Sequence, residues 1–151
     1  MACAARAGAG GSGPVIRNQK ANERRAWRPV HMGEEVPEPI GAYSRAVRAG
    51  NTIYVSGQVP TDLRTGKVVG KDVVAQTRQT LENVKQVLAA AGATLADVVS
   101  VNAYLASIDD WAAFNEIYRD TFKPPYPART TIGAQLHGVL VEISVVAVVR
   151  A

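Results

Sequence analysis

The segment formed by residues 139–149 constrains the fold more than any other part of the sequence. It consists almost wholly of apolar, mostly β-branched side chains, and such a run is typical of a strand in a buried position of a sheet. The segment contains Glu142, the one acidic residue between Thr121 and the C-terminus. Because an unpaired carboxylate is costly to bury, we expect Glu142 to face water, to have a partner or to serve a function.

Two amphipathic helices are predicted before this segment. After Asp72, a candidate N-cap, apolar residues recur at steps of three and four as far as Gly92, which supplies a C-terminal stop. Asp109 or Asp110 is expected to cap a second helix that ends before Pro124. The apolar stripe predicted for the second helix is Trp111, Phe114, Ile117, Tyr118 and Phe122.

Shorter strands are predicted around these helices. Alternating or β-branched residues indicate strands at 52–59, 98–105 and 128–132, and a short extended segment begins at Ala46. In the strand predicted at 98–105, the residues expected to share one face are Val99, Val101, Ala103 and Leu105. The order β-β-α-β-α-β-β predicts an α+β domain, with a mixed β-sheet and two helices on one face. Because the other face then lacks a cover, we expect self-association into a symmetric assembly.

Residues 1–35 are rich in Ala, Gly and Arg and lack apolar periodicity, so we expect a disordered basic tail before a domain at 36–151. The formal net charge of the chain is +4; six of its 17 basic residues and one of its 13 acids precede Pro29, which leaves 11 basic and 12 acidic residues from Pro29 onward. Such a near-neutral domain argues against nucleic-acid binding. The tail is interpreted as a plain extension, an organelle-targeting peptide or the result of a misassigned start, since Met32 precedes the ordered part.

The composition also bears on the compartment. No apolar stretch approaches the roughly 18 residues that a membrane helix needs, so a membrane protein is not expected. The single cysteine, Cys3, cannot form a disulfide within the chain, and no Cys/His spacing suggests a metal site. A reducing compartment is the simpler interpretation. We expect a cytoplasmic protein, or an organellar one if residues 1–30 are a targeting peptide.

Arg129, on the strand predicted before residues 139–149, is a candidate partner for Glu142, because two neighbouring strands could bring both side chains into one cleft. A guanidinium can bind a carboxylate through two parallel hydrogen bonds, and a glutamate in an apolar wall can hold and activate a water molecule. Together they describe a site for a small acid that reacts with water. The alternatives are a structural ion pair and a solvated strand face.

Four further residues have both a functional and a structural interpretation. Ser56 and Gly57 could offer a hydroxyl and a close backbone approach to a ligand, or they could simply end a solvated strand. Tyr43 could cover a pocket or pack as an ordinary aromatic residue. Asn115 borders the apolar stripe of the second helix, where capping or bridging a loop is the structural alternative.

Six short segments form a recognisable set in their order and spacing. They are residues 40–44, 55–58, 76–83, 114–118, 127–131 and 141–143. Each segment is weakly diagnostic alone, but together they resemble the Rid (YjgF-type) family of enamine/imine deaminases over roughly residues 37–150.

The resemblance implies a chorismate-mutase-like fold and a homotrimer, in which three sheets form an inner barrel and the active sites lie in clefts between subunits. It implies that Arg129 binds the substrate carboxylate and that Glu142 positions the attacking water. The residues that it implies as further substrate-binding groups are Tyr43, Ser56, Gly57, Asn115 and, through its backbone, Thr131.

The activity implied by the resemblance is the hydrolytic deamination of 2-enamine and 2-imino acids, such as 2-aminoacrylate and 2-aminocrotonate, to 2-oxo acids and ammonia. The imine tautomers of these two compounds are 2-iminopropanoate and 2-iminobutanoate. No metal or organic cofactor is implied, because a bound imine is already electrophilic and needs only orientation and an activated water.

Three departures from the family pattern bear on substrate preference more than on the fold. Ala42 replaces a common proline, the turn between Arg129 and Glu142 is about two residues shorter than usual, and His137 occupies that turn. Two other functions stay open from the sequence. One is an RNA-acting translation inhibitor or endoribonuclease, and the other is a non-catalytic ligand-binding trimer of the same fold.

Overall fold

A computed structural model of the protein describes residues 24–151. These residues form six strands and two α-helices, with 3-10 turns at Leu95–Asp97 and Ile108–Asp110. The strands are β1 (Arg28–Pro29), β2 (Ala46–Ala49), β3 (Thr52–Gln58), β4 (Val98–Leu105), β5 (Ala128–Gly133) and β6 (Val141–Val148), and the helices are α1 (Val73–Ala90) and α2 (Trp111–Thr121). Neither described helix is long and apolar enough to cross a membrane.

All described strands belong to one mixed sheet, in the order β1-β2-β3-β6-β4-β5. The apolar strand β6 lies between β3 and β4 and is antiparallel to both. β4 and β5 are parallel neighbours, and α2 forms the crossover that parallel neighbours require. The predicted α+β class, with two helices and a mixed sheet, is confirmed. β1 and β5 are the edge strands.

One face of the sheet packs against the helices. On β6 the odd-numbered residues are buried, whereas the even-numbered residues are half-buried or exposed. The buried residues join one core cluster with the apolar stripes of both helices, including Leu81, Val84 and Phe114. The other face, called the open face below, carries Val148 and Tyr54, which is 49% exposed. The strand that we expected to be buried is therefore buried on one face only, because there is a single layer of helices in the described chain.

Helix α1 begins and ends where the sequence predicts. Oδ1 of Asp72 accepts a hydrogen bond of 2.8 Å from the backbone N–H of Ala75, which satisfies one of the free donors of the first turn. Gly92 follows the helix with φ +80°, a conformation that glycine adopts without a steric cost.

The inner face of α1 is partly polar, and this feature fixes the loop after β3. Asn83, which is 1% exposed, donates hydrogen bonds of 2.9 Å to the carbonyl of Val59 and 2.7 Å to that of Thr61. Its own amide oxygen accepts from Gln79 at 2.9 Å. The end of β3, which carries the residues of interest at 56 and 57, is thus tied to the helix layer.

Three local expectations are corrected by the structure. Val99 is 48% exposed, because β4 has an extra residue relative to β6 between Val98 and Ser100, so that Val98 is buried instead. Trp111, expected in the apolar stripe of α2, is 43% exposed at the first turn. Asp110 occupies the N-cap position of α2 but makes no cap hydrogen bond with its side chain, since a 3-10 turn leads directly into the helix.

The predicted tail overlaps the described region only in part. The expected disorder of residues 1–23 lies outside the described residues. Between residues 24 and 35, β1 pairs with β2 in antiparallel register and Val30 is buried. The ordered region therefore begins before residue 36, because this segment has a sheet edge to pair with.

Candidate functional site

The structure separates most of the predicted site residues into two groups. Arg129 of β5 and Asn115 of α2 line one cavity at the edge of the sheet. Gly57 and Glu142 meet on the open face, where β3 and β6 are neighbours. Each group has an environment of its own.

The first group lines a cavity of about 370 Å³, called the edge cavity below. Its lining residues are Asn115, Tyr118, Arg119, Tyr126, Pro127 and Arg129. The guanidinium of Arg129 lies over the ring of Tyr118 at 4.4 Å and within 5.8 Å of the rings of Phe114 and Trp111. These aromatic faces attract and orient the cation, so that Arg129 is held in place while its hydrogen-bonding edge stays available for an anion.

Two buried hydroxyls near Arg129 lack a hydrogen-bond partner among the described residues: those of Tyr118 and Thr131. Burial raises the pKa of Tyr118 above its ordinary value of 10.0, while the nearby charge of Arg129 opposes this shift. Tyr118 therefore stays neutral at physiological pH and keeps a proton to donate. Unpartnered buried hydroxyls are uncommon in native proteins, and that of Tyr118, which lines the edge cavity, is a candidate ligand contact.

The second group owes its geometry to an irregularity in β3. Between Val55 and Gln58, β3 has one more residue than the facing part of β6, and this bulge includes Ser56 and Gly57. The Glu142 side chain occupies the space next to Gly57: a Cβ at this glycine would overlap Oε1 of Glu142 and would lie 2.9 Å from its Cδ. Glycine is therefore required for the close approach.

Ser56 has a hydrogen bond of its own within the chain. Its hydroxyl donates to the carbonyl of Ser44 at 2.7 Å, and its backbone N–H donates to the carbonyl of Arg45. The hydroxyl oxygen can still accept a hydrogen bond from a ligand. Tyr43, in the same connection before β2, is exposed and lines a different surface depression together with Arg45.

Arg129 and Glu142 do not meet within one chain, which corrects the expectation that neighbouring strands bring them together. β4 lies between β5 and β6: Arg129 is beside Val101 of β4, whereas Glu142 is beside Tyr104. Two strand spacings across the sheet and three residues along it correspond to on the order of 14 Å between the Cα atoms. Val101 is buried beneath the helices and Tyr104 lies on the open face, so the two side chains are on opposite faces of the sheet.

The sequence interpretation missed part of the edge cavity. Tyr118 was assigned only to the core, and Arg119 and Tyr126 were not singled out. The signal was available for Tyr118 and Arg119, which follow Asn115 by three and four residues on a helix and so lie on the same side of it. Within residues 24–151, no three His, Cys, Asp or Glu side chains are grouped so that they could hold a metal ion.

Comparison with known proteins identifies relatives over most of the chain. The family described as Endoribonuclease L-PSP matches residues 33–149. A RutC family protein of Pyrococcus horikoshii is 44% identical over 120 residues, which are 78% of this chain and 95% of that protein. A 2-iminobutanoate/2-iminopropanoate deaminase of Dermatophagoides farinae is 41% identical over 97 residues, which are 64% of this chain and 76% of that protein.

Solved structures agree with this assignment. RidA from the Antarctic bacterium Psychrobacter sp. is 36% identical and superposes with a TM-score of 0.74 over 81% of this chain and 100% of its own. The YjgF gene product of E. coli gives the same identity, 36%, and TM-score, 0.74, over 82% of this chain and 99% of its own. The chain therefore belongs to the Endoribonuclease L-PSP family, which includes the Rid, YjgF and RutC proteins.

Proposed function

We propose that the protein hydrolyses 2-imino acids, such as 2-iminopropanoate and 2-iminobutanoate, to 2-oxo acids and ammonia. We further propose that it does so as a homotrimer, in clefts shared by neighbouring subunits. The observation that carries the proposal is the separation of Arg129 and Glu142 onto opposite faces of one sheet, each within an organised group. The deaminase named among the relatives supports the substrate class.

The edge cavity supplies the binding half of the proposed site. The carboxylate of the imino acid pairs with the Arg129 guanidinium, which no carboxylate of the described chain approaches within ion-pair distance. The amide of Asn115 offers both a donor and an acceptor to the bound ligand. Fixing the carboxylate orients the adjacent imine carbon toward the neighbouring subunit, which lowers the entropic part of the barrier.

The Glu142 group supplies the reacting half. The Glu142 carboxylate accepts a proton from water as the water oxygen bonds to the imine carbon, and the C=N electron pair moves to nitrogen. The same carboxyl group returns this proton to the nitrogen, which gives a neutral carbinolamine. The carboxylate then takes the proton of the new hydroxyl group and passes it to the nitrogen, so that the C–N bond breaks, ammonia leaves and the C=O bond of the 2-oxo acid forms. General acid–base catalysis of this type contributes about 10²–10⁴-fold to a rate.

The open face supports the proposed assembly. It carries the exposed ring of Tyr54 together with the apolar side chains of Val146 and Val148 on β6. A sheet face with this much apolar surface is typical of a protein contact. Closed symmetric assembly of three chains buries this face and repeats the same contact three times, which brings each edge cavity to a neighbouring Glu142 group.

Subunit complementation tests the shared cleft directly. We expect Arg129→Ala and Glu142→Gln each to form inactive trimers. When the two variants are co-expressed with different tags and purified through both, every trimer is mixed. In a ring of three, any mixed composition contains one cleft with both Arg129 and Glu142 intact, so about one third of wild-type ammonia release should return.

The controls are the two variants purified alone and an untagged wild type carried through the same steps. A mixed trimer as inactive as its parents rejects the shared cleft, and full activity in either single variant rejects the role of that residue. The readout is ammonia release from 2-aminoacrylate generated in the assay by a serine dehydratase, corrected for spontaneous hydrolysis.

An RNA-cleaving function is the second candidate, because the description of the matching family names one. The domain from Pro29 onward has 11 basic and 12 acidic residues, which is a weak basis for the phosphate contacts that dominate RNA affinity. Removal of residues 1–23 separates the two functions. Deaminase activity should survive the deletion, whereas RNA binding that depends on the basic tail should weaken, because three of its six basic residues (Arg6, Arg17 and Lys20) are removed.

A further inference from the structure

The edge cavity contains a second positive charge that the hydrolysis of 2-iminopropanoate does not use. Arg119 lines the cavity together with Arg129. Arg119 follows Asn115 by four residues on α2, so both project from the same side of the helix. Two different elements, α2 and β5, thus line one small cavity with two arginines, of which Arg119 is exposed and Arg129 is half-buried.

Nothing within the described chain neutralises these two charges. None of the six lining residues is acidic, and neither Arg119 nor Arg129 has a carboxylate within ion-pair distance in residues 24–151. Like charges around one cavity repel each other, and the repulsion is relieved when an anion binds between them. A small monocarboxylate held on Arg129 leaves Arg119 to water, whereas a dianion of suitable length pairs with both arginines.

We propose that the edge cavity selects dicarboxylic 2-imino acids, with the carboxylate next to the imine on Arg129 and the distal carboxylate on Arg119. This inference rests on the proposed function, since it assigns the substrate class of the same site. The cavity volume of about 370 Å³ lies within the usual range for small-molecule sites, about 300–1,000 Å³. Four- and five-carbon dicarboxylates, such as 2-iminosuccinate and 2-iminoglutarate, are the compounds of this class to test.

Arg119 has one competing role, because it lies in the last turn of α2, where a cation stabilises the helix dipole. That role affects the stability of the fold and is independent of the substrate. The proposed role affects the dicarboxylic substrate far more than the monocarboxylic one. Comparing two substrates on one variant therefore separates the two roles.

The experiment compares two imines made in the assay by flavin oxidases: 2-iminosuccinate from D-aspartate and 2-iminopropanoate from D-alanine. Acceleration of 2-oxo acid formation over spontaneous hydrolysis gives kcat/KM for each. For the wild type, kcat/KM should be higher with 2-iminosuccinate. Arg119→Gln should lower that value about tenfold to a hundredfold, the loss expected for a charge-assisted hydrogen bond, and should lower kcat/KM for 2-iminopropanoate far less. Arg119→Lys should restore part of the loss, and Arg78→Gln, a change at an exposed site on α1, should have no effect.

The outcomes that overturn the inference differ from those that overturn the proposed function. A wild type that accelerates 2-iminopropanoate but not 2-iminosuccinate refutes only the substrate class, as does an equal loss on both substrates in Arg119→Gln. If the protein accelerates the hydrolysis of neither imine, the proposed function fails. Calorimetric titration with 2-oxoglutarate and 2-oxobutanoate still tests whether the edge cavity prefers a dicarboxylate. Tighter binding of 2-oxoglutarate that is lost in Arg119→Gln supports it, and equal affinities refute it.

Discussion

Replacing Gly57 by alanine should separate the catalytic position of Glu142 from its contribution to folding. The new methyl carbon would overlap Oε1 of Glu142 and would lie 2.9 Å from its Cδ and 3.1 Å from its Cγ. Gly57 does not have a positive φ, so alanine brings no backbone strain. The conflict involves a single flexible, half-buried side chain, which can turn away about its own bonds.

The expected stability cost is therefore small. Overpacking in a protein interior typically costs about 1–3 kcal/mol, and a displaced carboxylate at a half-exposed position belongs at the lower end, about 1 kcal/mol. Such a change lowers the melting temperature by about 4 °C in a domain of this size. The displacement of the carboxylate is on the order of 1 Å, and a misplacement of this size can reduce catalysis about a hundredfold.

The assay combines thermal unfolding with kcat/KM for 2-iminopropanoate, and Gly133→Ala serves as the matched control. A Cβ at Gly133 would lie 3.6 Å from Cβ of Ile108, an ordinary contact, and this glycine also lacks a positive φ. Glu142→Asp, whose side chain is one methylene shorter, provides a second comparison. Combined with Gly57→Ala, it should lose less activity than the two single losses multiplied, because the shorter side chain avoids the methyl group.

Two results would refute this reasoning. Full activity in Gly57→Ala means that the carboxylate position next to Gly57 is irrelevant to the chemistry. Unfolding of Gly57→Ala means that Glu142 cannot turn away, which contradicts the mobility inferred from its exposure.

Two further predictions concern stability. Asn83→Ala leaves the carbonyls of Val59 and Thr61 without their side-chain donor and should lower the free energy of unfolding by about 2 kcal/mol or more. Chemical denaturation measures this loss, with Gln86→Ala, a change at an exposed site on α1, as the control. Equal denaturation midpoints for the two variants would contradict a stabilising role of the two Asn83 hydrogen bonds. Because the folded-state pKa of Tyr118 is raised above 10.0 by burial, its contribution to stability is complete below pH 10 and is lost as the pH rises through the folded-state value. Tyr118→Phe should therefore make the free energy of unfolding less sensitive to pH above 10, and parallel pH curves for the two proteins would count against this assignment.

Helix α1 shows what can be predicted from the sequence alone. Its limits follow from local chemistry, the carboxylate of Asp72 at one end and the free φ of Gly92 at the other, so no tertiary information was needed. The bounds of β4 were also predicted from local sequence, in this case from its alternating β-branched residues. The residues that β4 turns toward the helices were predicted only in part. A bulge at Val99 shifts the alternation by one residue, and bulges depend on the partner strand.

The relation of Arg129 to Glu142 could not be predicted, because strand order is a property of the whole sheet. The two residues lie on strands that are consecutive in sequence, yet β4 is inserted between them. The proximity of Gly57 to Glu142 also depends on this order, since the neighbouring strands β3 and β6 are far apart in the sequence. Side-chain types indicated which groups were present, and the sheet topology determined which of them share a face.

The position of β5 at the edge of the sheet has a consequence for the newly made chain. Its outer backbone N–H and C=O groups have no strand neighbour within the described chain. An exposed edge strand of this kind can pair with an extended segment of another molecule. A free chain is therefore open to aggregation through edge-to-edge strand pairing along β5, the strand that bears Arg129.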